Sequence, residues 1–306
     1  IDTVAGDVVV NIIEHGQALV VSGSSSGLAE GTPLTVTINN VEYTTAVQAD
    51  GSWSVGVTAA QVSAWPAGTI NIAVSGESSA GNPISITHPV TVDLTPAAIT
   101  INTIATDDVI NGAEKGADLT LSGTTTNVEA GQTVTVTFGG KNYTASVASD
   151  GSWSATVPAA DLALLTDGSA SAQASVSNIN GNSASAVHNY SVDSSAPTII
   201  INTVASDNIV NASEADAGVT VSGSTTAEAG QIVTVTLNSP TVQTYQATVQ
   251  ADGSWSINIP AADLEALTDG SHTLTAMVND KAGNPASTTH NLAVDLTVPV
   301  LTINTI

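Results

Sequence analysis

Asp50-Gly51-Ser52-Trp53-Ser54 recurs as Asp150-Gly151-Ser152-Trp153-Ser154 and again as Asp252-Gly253-Ser254-Trp255-Ser256. A phrase that returns at a period of about 100 residues marks a tandem array, and that period organises every other signal in the chain. Working outward, Ile1-Asp2-Thr3 answers to Ile101-Asn102-Thr103 and Ile201-Asn202-Thr203, while Val92-Asp93 answers to Val192-Asp193 and Val294-Asp295. The 306 residues therefore read as three repeats, 1–96, 97–197 and 198–299, with 300–306 opening a fourth. Both ends are expected to cut through a longer array, and no signal-peptide pattern precedes Ile1.

Each copy of the phrase lies between runs of alternating apolar and polar residues. Its Asp-Gly pair reads as a tight hairpin turn, because Gly accepts the positive φ such turns need, and the next strand starts at the Trp. Val219 to Ser222, Val233 to Leu237, Trp255 to Ile259 and His272 to Val278 keep the period of two. The Gly-Asn pairs at 81, 181 and 283 read as turns between the last two strands of each repeat. Hydrophobic residues make up 42% of the chain, mostly Val, Ile, Leu and Ala interleaved with Thr and Ser, which suits half-buried pleated surfaces. About seven short strands per repeat predict an all-β protein of three tandem immunoglobulin-like sandwiches. Pro96, Pro197 and Pro299 stiffen short linkers, so a linear, rod-like array is expected. Repeat 3 lacks one residue in the Ala227 to Gly230 loop and gains three around Asn238 to Gln243, both in loops, where a sandwich tolerates changes.

Charge excludes whole classes of function. Against 27 Asp and Glu stand 3 Lys and no Arg, for a net charge of −24. Nucleic acid is excluded as a partner, since phosphate binding needs clustered cations. Cysteine is absent, which removes disulfides, thiolate nucleophiles and Cys-ligated zinc. No apolar run approaches the length of a membrane-spanning helix.

The acids recur in register. Asp7, Asp107 and Asp207 match one another, as do Asn11, Asn111 and Asn211, and Glu14, Glu114 and Glu214; each repeat closes on Asp93, Asp193 or Asp295. The loop after the first strand and the closing Asp are expected to meet at one pole, beside the next repeat. Carboxylates and an amide carbonyl gathered there, with almost no basic residue to pair with, suit Ca²⁺ and its 6 to 8 oxygen ligands. The competing reading makes the same Asp and Asn residues turn formers that bond their own backbone. Asp167 and Asp269, with Asp161 and Asp263, form a second acidic set in a helical turn crossing between the sheets, where an N-cap or turn role stands beside metal binding. Gln61 and Ala67 replace that set in repeat 1. Asp280, in the Gly-Asn loop of repeat 3 alone, is placed to add an oxygen from across the boundary with repeat 2.

Trp53, Trp153 and Trp255 read as core anchors, and Trp65, without a counterpart, as an exposed aromatic. His88, His188 and His290 stand alone on the last strand and read as structural imidazoles. No catalytic constellation emerges: glycosidase carboxylates face each other across a cleft, and a triad needs Ser, His and Asp to converge. An enzyme is not expected.

Ile101-Asn102-Thr103-Ile104-Ala105-Thr106-Asp107-Asp108, Glu129-Ala130-Gly131-Gln132-Thr133-Val134, Asp150-Gly151-Ser152-Trp153-Ser154 and Pro158-Ala159-Ala160-Asp161-Leu162 together resemble the tandem bacterial Ig-like domains of giant non-fimbrial and biofilm adhesins. The resemblance covers all three repeats. It implies a long extracellular filament, exported by type I secretion, held at the surface of a Gram-negative bacterium and stiffened by calcium near its junctions. Carried over residue by residue, calcium falls on Asp7, Asp107 and Asp207, their Asn and Glu companions, and Asp93, Asp193 and Asp295. Val8 and Asn208 stand where repeat 2 has Asp108, so the sites are expected to differ. The functional expectation is a calcium-stiffened spacer holding a distal tip that attaches to host cells or surfaces. The alternative is that the repeats themselves bind a host glycan or protein.

Overall fold

The computed structural model describes residues 1–238 and 242–303; residues 239–241, in the repeat 3 insertion, and 304–306, in the opening of the fourth repeat, lie outside the description. The chain divides into two compact units. One comprises Ile1–Asn102, Thr120–Thr156 and Ser171–His188, the other Thr103–Leu119, Val157–Ala170 and Asn189–Ile306. The division passes through the second repeat, so each repeat boundary lies inside a unit.

In repeat 1 a five-stranded sheet runs in the order Val9–Val10, Pro83–Val92, Gly68–Glu77, Pro33–Ile38, Val41–Ala46, and Leu19–Ser24 pairs with Ser52–Val57 in a second sheet. In repeat 3 the same order holds for Ile209–Asn211, Pro285–Asp295, Gly270–Asn279, Ile232–Asn238 and Gln243–Thr248, while Ile199–Ile201, Val219–Thr225 and Ser254–Ile259 form a three-stranded sheet. Repeat 2 repeats both orders. The chain is all-β, built of three sandwich-like repeats.

The sequence period explains the packing. Val233, Val235 and Leu237 are fully buried while Thr234 and Thr236 turn towards solvent, the alternation that a half-covered sheet imposes. Each repeat centres on its Trp: Trp53, Trp153 and Trp255 are 2–3% exposed. A Gly faces each indole across the neighbouring strand, and at Gly223 a Cβ would lie 1.9 Å from the Ile200 carbonyl O and 2.4 Å from Trp255. Only a residue without a side chain lets the strands close over the ring.

Two details differ from the sequence reading. The Asp-Gly turn is not a hairpin within one sheet. Val41–Ala46 pairs with Pro33–Ile38, whereas Ser52–Val57 pairs with Leu19–Ser24, so Asp50-Gly51 forms the corner that carries the chain from one sheet to the other. Gly51 has φ +82, and Asp50 Oδ1 accepts from the Ser52 N–H and hydroxyl at 2.9 and 2.6 Å. The tight two-residue hairpin lies at Asn39-Asn40, whose φ values of 45 and 62 are those a primed turn demands. Trp65 is buried rather than exposed, at 3%, because the helical turn Ala59–Val62 tucks it into the repeat 1 core.

Candidate metal site and repeat boundaries

The acidic set is built from local backbone needs. In repeats 2 and 3 the chain leaves the smaller sheet after its first strand, turns, and joins the larger sheet in parallel with the last strand; Val109–Asn111 pairs with Ser191 to Asp193, and Ile209–Asn211 with Ala293 to Asp295. The turn needs positive φ at Ala105, Thr106 and Asp108, and at Ala205, Ser206 and Asn208. Side chains at its end close it. Asp7, Asp107 and Asp207 each accept the N–H two residues on, from Val9, Val109 and Ile209, at 3.0 Å. Asp108 Oδ1 accepts the Ile104 N–H and Asn208 Oδ1 the Val204 N–H. These are the self-bonding turns of the competing reading.

After the short strand, Asn111 Oδ1 accepts from Ala113 and Glu114 N–H, and Glu114 Oε2 accepts from the Asn111 N–H; Asn211 with Glu214, and Asn11 with Glu14, do the same. This reciprocal capping box satisfies the open donors of a helical turn. The structure therefore brings Asn111 beside Asp193 and Asn211 beside Asp295 as register partners. Asp107 and Asp207 lie instead in the turn that precedes that strand.

The closing acids meet the following repeat at two boundaries. At the first, Asn180 Nδ2 donates to Asp93 Oδ2 at 2.7 Å, and Asn182 Nδ2 donates to the Asp93 carbonyl at 3.0 Å and to Oδ2 at 3.2 Å. Asp93 Oδ1 accepts the Thr95 N–H. The Asn180 amide, outweighing burial, holds the Asp93 carboxyl below its ordinary 3.8. At the second, Asn284 Nδ2 donates to the Asp193 carbonyl at 2.8 Å and to Asp280 Oδ2 at 3.0 Å. Asp280 Oδ1 also takes the Asn284 N–H at 2.7 Å, and Asp193 Oδ1 takes the Ser195 N–H. Glu129 accepts the Ile179 N–H and Glu228 the Lys281 N–H, anchoring the turn that carries each Asn.

Asp167 and Asp269 clasp the exit of the last strand. Asp167 Oδ1 accepts the Ser194 N–H and hydroxyl, and Oδ2 the Ser195 hydroxyl. Asp269 accepts the Leu296 N–H and the Thr297 hydroxyl. The Ser195 and Thr297 hydroxyls are the leading causes that hold these two carboxyls below the ordinary range. Asp263 accepts from the Tyr245 hydroxyl at 2.6 Å, and burial, with this carboxylate, pushes the Tyr245 phenol up. Asp295 accepts the Thr297 N–H.

The donor chemistry suits a hard cation, since the oxygens left over are carboxylate and carbonyl. Among the described residues no three His, Cys, Asp or Glu side chains are gathered to hold a metal. The two boundaries differ in the closing carboxylate: Asp93 takes N–H groups on both oxygens at the first, whereas Asp193 takes one on Oδ1 at the second, where Asn284 covers both oxygens of the 7% exposed Asp280. Sequence reasoning named Asp93, Asp193 and Asp280 and missed Asn180, Asn182, Asn284, Glu129 and Glu228. The Gly-Asn pairs signalled only a turn, which leaves the partner of the Asn side chain open.

His290 Nε2 lies 2.7 Å from Asn208 Oδ1, whereas His88 Nε2 is buried without a partner, Val8 standing where repeat 3 has Asn208. Trp65, the aromatic that favoured direct ligand binding, gives its carbonyl to His15 Nε2 at 2.9 Å. Among the described residues no helix is long and apolar enough to cross a membrane.

The bacterial Ig-like domain family matches residues 195–296. A solved structure from a 1.5-MDa bacterial ice-binding adhesin, studied for its retention on the host cell surface, is 33% identical over 97% of this chain and 96% of its own, with a TM-score of 0.49. A Ca²⁺-stabilized adhesin with which an Antarctic bacterium binds ice is 34% identical over 97% and 74%, with a TM-score of 0.48. A single Ig-like domain of the M. primoryensis ice-binding adhesin is 35% identical, covers 32% of this chain and 99% of its own, and has a TM-score of 0.28. No curated protein matches.

Proposed function

Since this chain belongs to the family of bacterial Ig-like domains found in large adhesins, we propose that it is a spacer segment of such an adhesin, stiffened by calcium and holding a distal attachment tip away from the cell. The observation that carries this reading is the 33% identity to an adhesin that runs along nearly the whole of both chains. Such modules are structural and not enzymatic. Each repeat, 1–96, 97–197 and 198–299, acts as one module, and the parent protein is exported by type I secretion and held outside a Gram-negative cell. Attachment to a host glycan or protein is the task of other parts of the parent.

Calcium, when bound, would supply positive charge that neutralises carboxylates at the repeat boundaries. The residues that would hold it are Asp193 and Asp280 at the second boundary, with Asp295 at the end of repeat 3. Asp7, Asp107 and Asp207, and Glu14, Glu114 and Glu214, each spend an oxygen on a backbone N–H and keep the other. Their primary work is to close turns and caps, and this chain's own side chains do it unaided.

Calorimetric titration of the full chain with calcium tests the reading, with small-angle scattering in calcium and in chelator. Saturable heat and a narrower distribution of pair distances in calcium are expected. No heat at millimolar calcium, with identical scattering in both buffers, rules calcium out.

A further inference from the structure

We propose that Asn182 and Asn284 are cation-independent clips that fasten each repeat to the one before it. The deciding detail is the orientation of the amides. Asn182 Oδ1 accepts the Ile12 N–H at 2.8 Å, and Asn284 Oδ1 accepts the Gly112 N–H at 2.7 Å. A backbone N–H can only donate, so the oxygen of each amide is fixed on that side. The NH₂ then faces the other way, onto the Asp93 or the Asp193 carbonyl, which can only accept. Both ends dictate the same orientation, so neither amide is free to flip.

Each clip thus joins one side chain to two separated points of the preceding repeat: the residue after its capping Asn, and its closing Asp. The partners of each clip lie within a single compact unit. The amides are 2% and 3% exposed. Asn82, the same residue in repeat 1, is exposed. The chain approaches closely here: a Cβ on Gly181 would lie 3.0 Å from Asn11 Nδ2, and Gly181 has φ +80. A buried amide with donor and acceptor both satisfied holds position, because breaking it strands polar groups away from water.

The arrangement also disagrees with a cation at the first boundary. Calcium there would have to take the Asp93 oxygens that now receive N–H groups from Asn180 and Asn182, and turning Asn182 to present oxygen would orphan the Ile12 N–H. The inference rests on the spacer reading only in that a spacer needs its boundaries held, and it requires no calcium.

The test is amide hydrogen exchange on the full chain in chelator, followed by NMR. Ile12 and Gly112 are expected to exchange at least about tenfold more slowly than Ala212, the same position in repeat 3, which no such Asn faces. Asn182→Ala should bring Ile12 to the Ala212 rate and leave Gly112 protected; Asn284→Ala should do the reverse. Asn182→Asp keeps the acceptor for Ile12 but sets a carboxylate against Asp93, and should lose protection in chelator. Slow exchange on the Trp153 strand in the Asn182 variants and on the Trp255 strand in Asn284→Ala shows that the repeat carrying the substitution is folded. Ile12 and Gly112 exchanging like Ala212 in the unmodified chain in chelator overturns the proposal, as does unchanged protection of Ile12 in Asn182→Ala. A chain that binds no calcium yet shows this protection defeats the calcium reading and keeps the clip.

Discussion

In repeat 3 the turn between the last two strands is closed by the Asp280 carboxylate and anchored by Glu228; in repeat 1 the same turn carries Ser78, whose hydroxyl takes the Asn82 N–H at 3.1 Å, and Ala29 stands at the Glu228 position. The pattern extends to other turns. Val8 replaces Asn208, Gln61 replaces Asp263 and Ala67 replaces Asp269. The two repeats keep one topology, so these side chains do not determine the fold. They determine how completely each turn is satisfied and how much carboxylate is left over for a cation. Repeat 1 is therefore a built-in control for repeat 3.

The largest expected difference lies in calcium. A site that binds only the native state adds RT ln(1 + [L]/Kd), about 2.7 kcal/mol at a hundredfold excess over Kd. Repeat 3, with Asp269, Asp280 and Asp295, should gain most, and repeat 1 least. Calorimetric melting in chelator and in millimolar calcium, with transitions assigned by exchange of amides in each repeat, checks this. An equal shift in both repeats would break the comparison and move the binding to Asp7, Asn11 and Glu14 and their counterparts, which all the repeats share.

Next in size is Asp280→Ala. It strips the buried Asn284 of two partners, its backbone N–H and its Nδ2, and should cost about 1–3 kcal/mol. Ser78→Ala, in an exposed turn, should stay within about 0.5 kcal/mol. Urea unfolding of the two variants gives both numbers, and a cost for Ser78→Ala as large as that for Asp280→Ala would mean that the acid adds nothing to the turn.

What the sequence disclosed follows the range of each interaction. The Trp phrase, the alternation and the Gly-Asn turns are local or periodic, so the all-β repeats and the Trp core were legible. The Asp-Gly corner was misread because a turn's φ requirements do not say which sheet the next strand joins; Ser52–Val57 pairs with Leu19–Ser24, more than twenty residues back in the chain. Asn11 with Glu14 had the spacing of a capping box, three residues apart, yet register across repeats drew attention to charge instead. The clips were beyond reach: Asn182 meets Ile12 across 170 residues, and nothing in Gly-Asn distinguishes the buried Asn182 from the exposed Asn82.

The third prediction turns on Val8. At φ +70 this β-branched residue sits in the left-handed region, which costs roughly 1–2 kcal/mol and which Asn tolerates better. Val8→Asn should stabilise repeat 1 by about 1 kcal/mol, raising its melting transition by about 4–8 °C for a domain of this size. It should also give His88 Nε2 the kind of partner that Asn208 gives His290. Asn208→Val should have the opposite effect in repeat 3. Calorimetry of the two variants checks the pair, and an unchanged repeat 1 transition in Val8→Asn would mean that the turn carries no strain.

The smallest effect expected is a local one with acid. Asp167 and Asp269 are held below the ordinary 3.8, chiefly by the hydroxyls of Ser195 and Thr297. For a carboxyl whose folded pKa is depressed, the stabilisation is fully present above the unfolded value and is lost as pH falls through the folded one. Nothing should therefore change between pH 7 and 5. Below about pH 4 the Ser194 and Leu296 amides should shift and lose protection as the acceptor of their hydrogen bond is protonated. Both carboxyls face solvent, so the change stays at the strand exits and leaves global melting almost unmoved. Repeat 1 has Ala67 at this position and no carboxylate to lose. Asp167→Ala should abolish the transition at Ser194, and Ala67→Asp should install one at Leu94, where Thr95 supplies the hydroxyl that Thr297 supplies in repeat 3. An NMR titration of the Ser194, Leu296 and Leu94 amides in these variants decides it; a Ser194 transition that survives Asp167→Ala would assign the acid response to Asp193 instead.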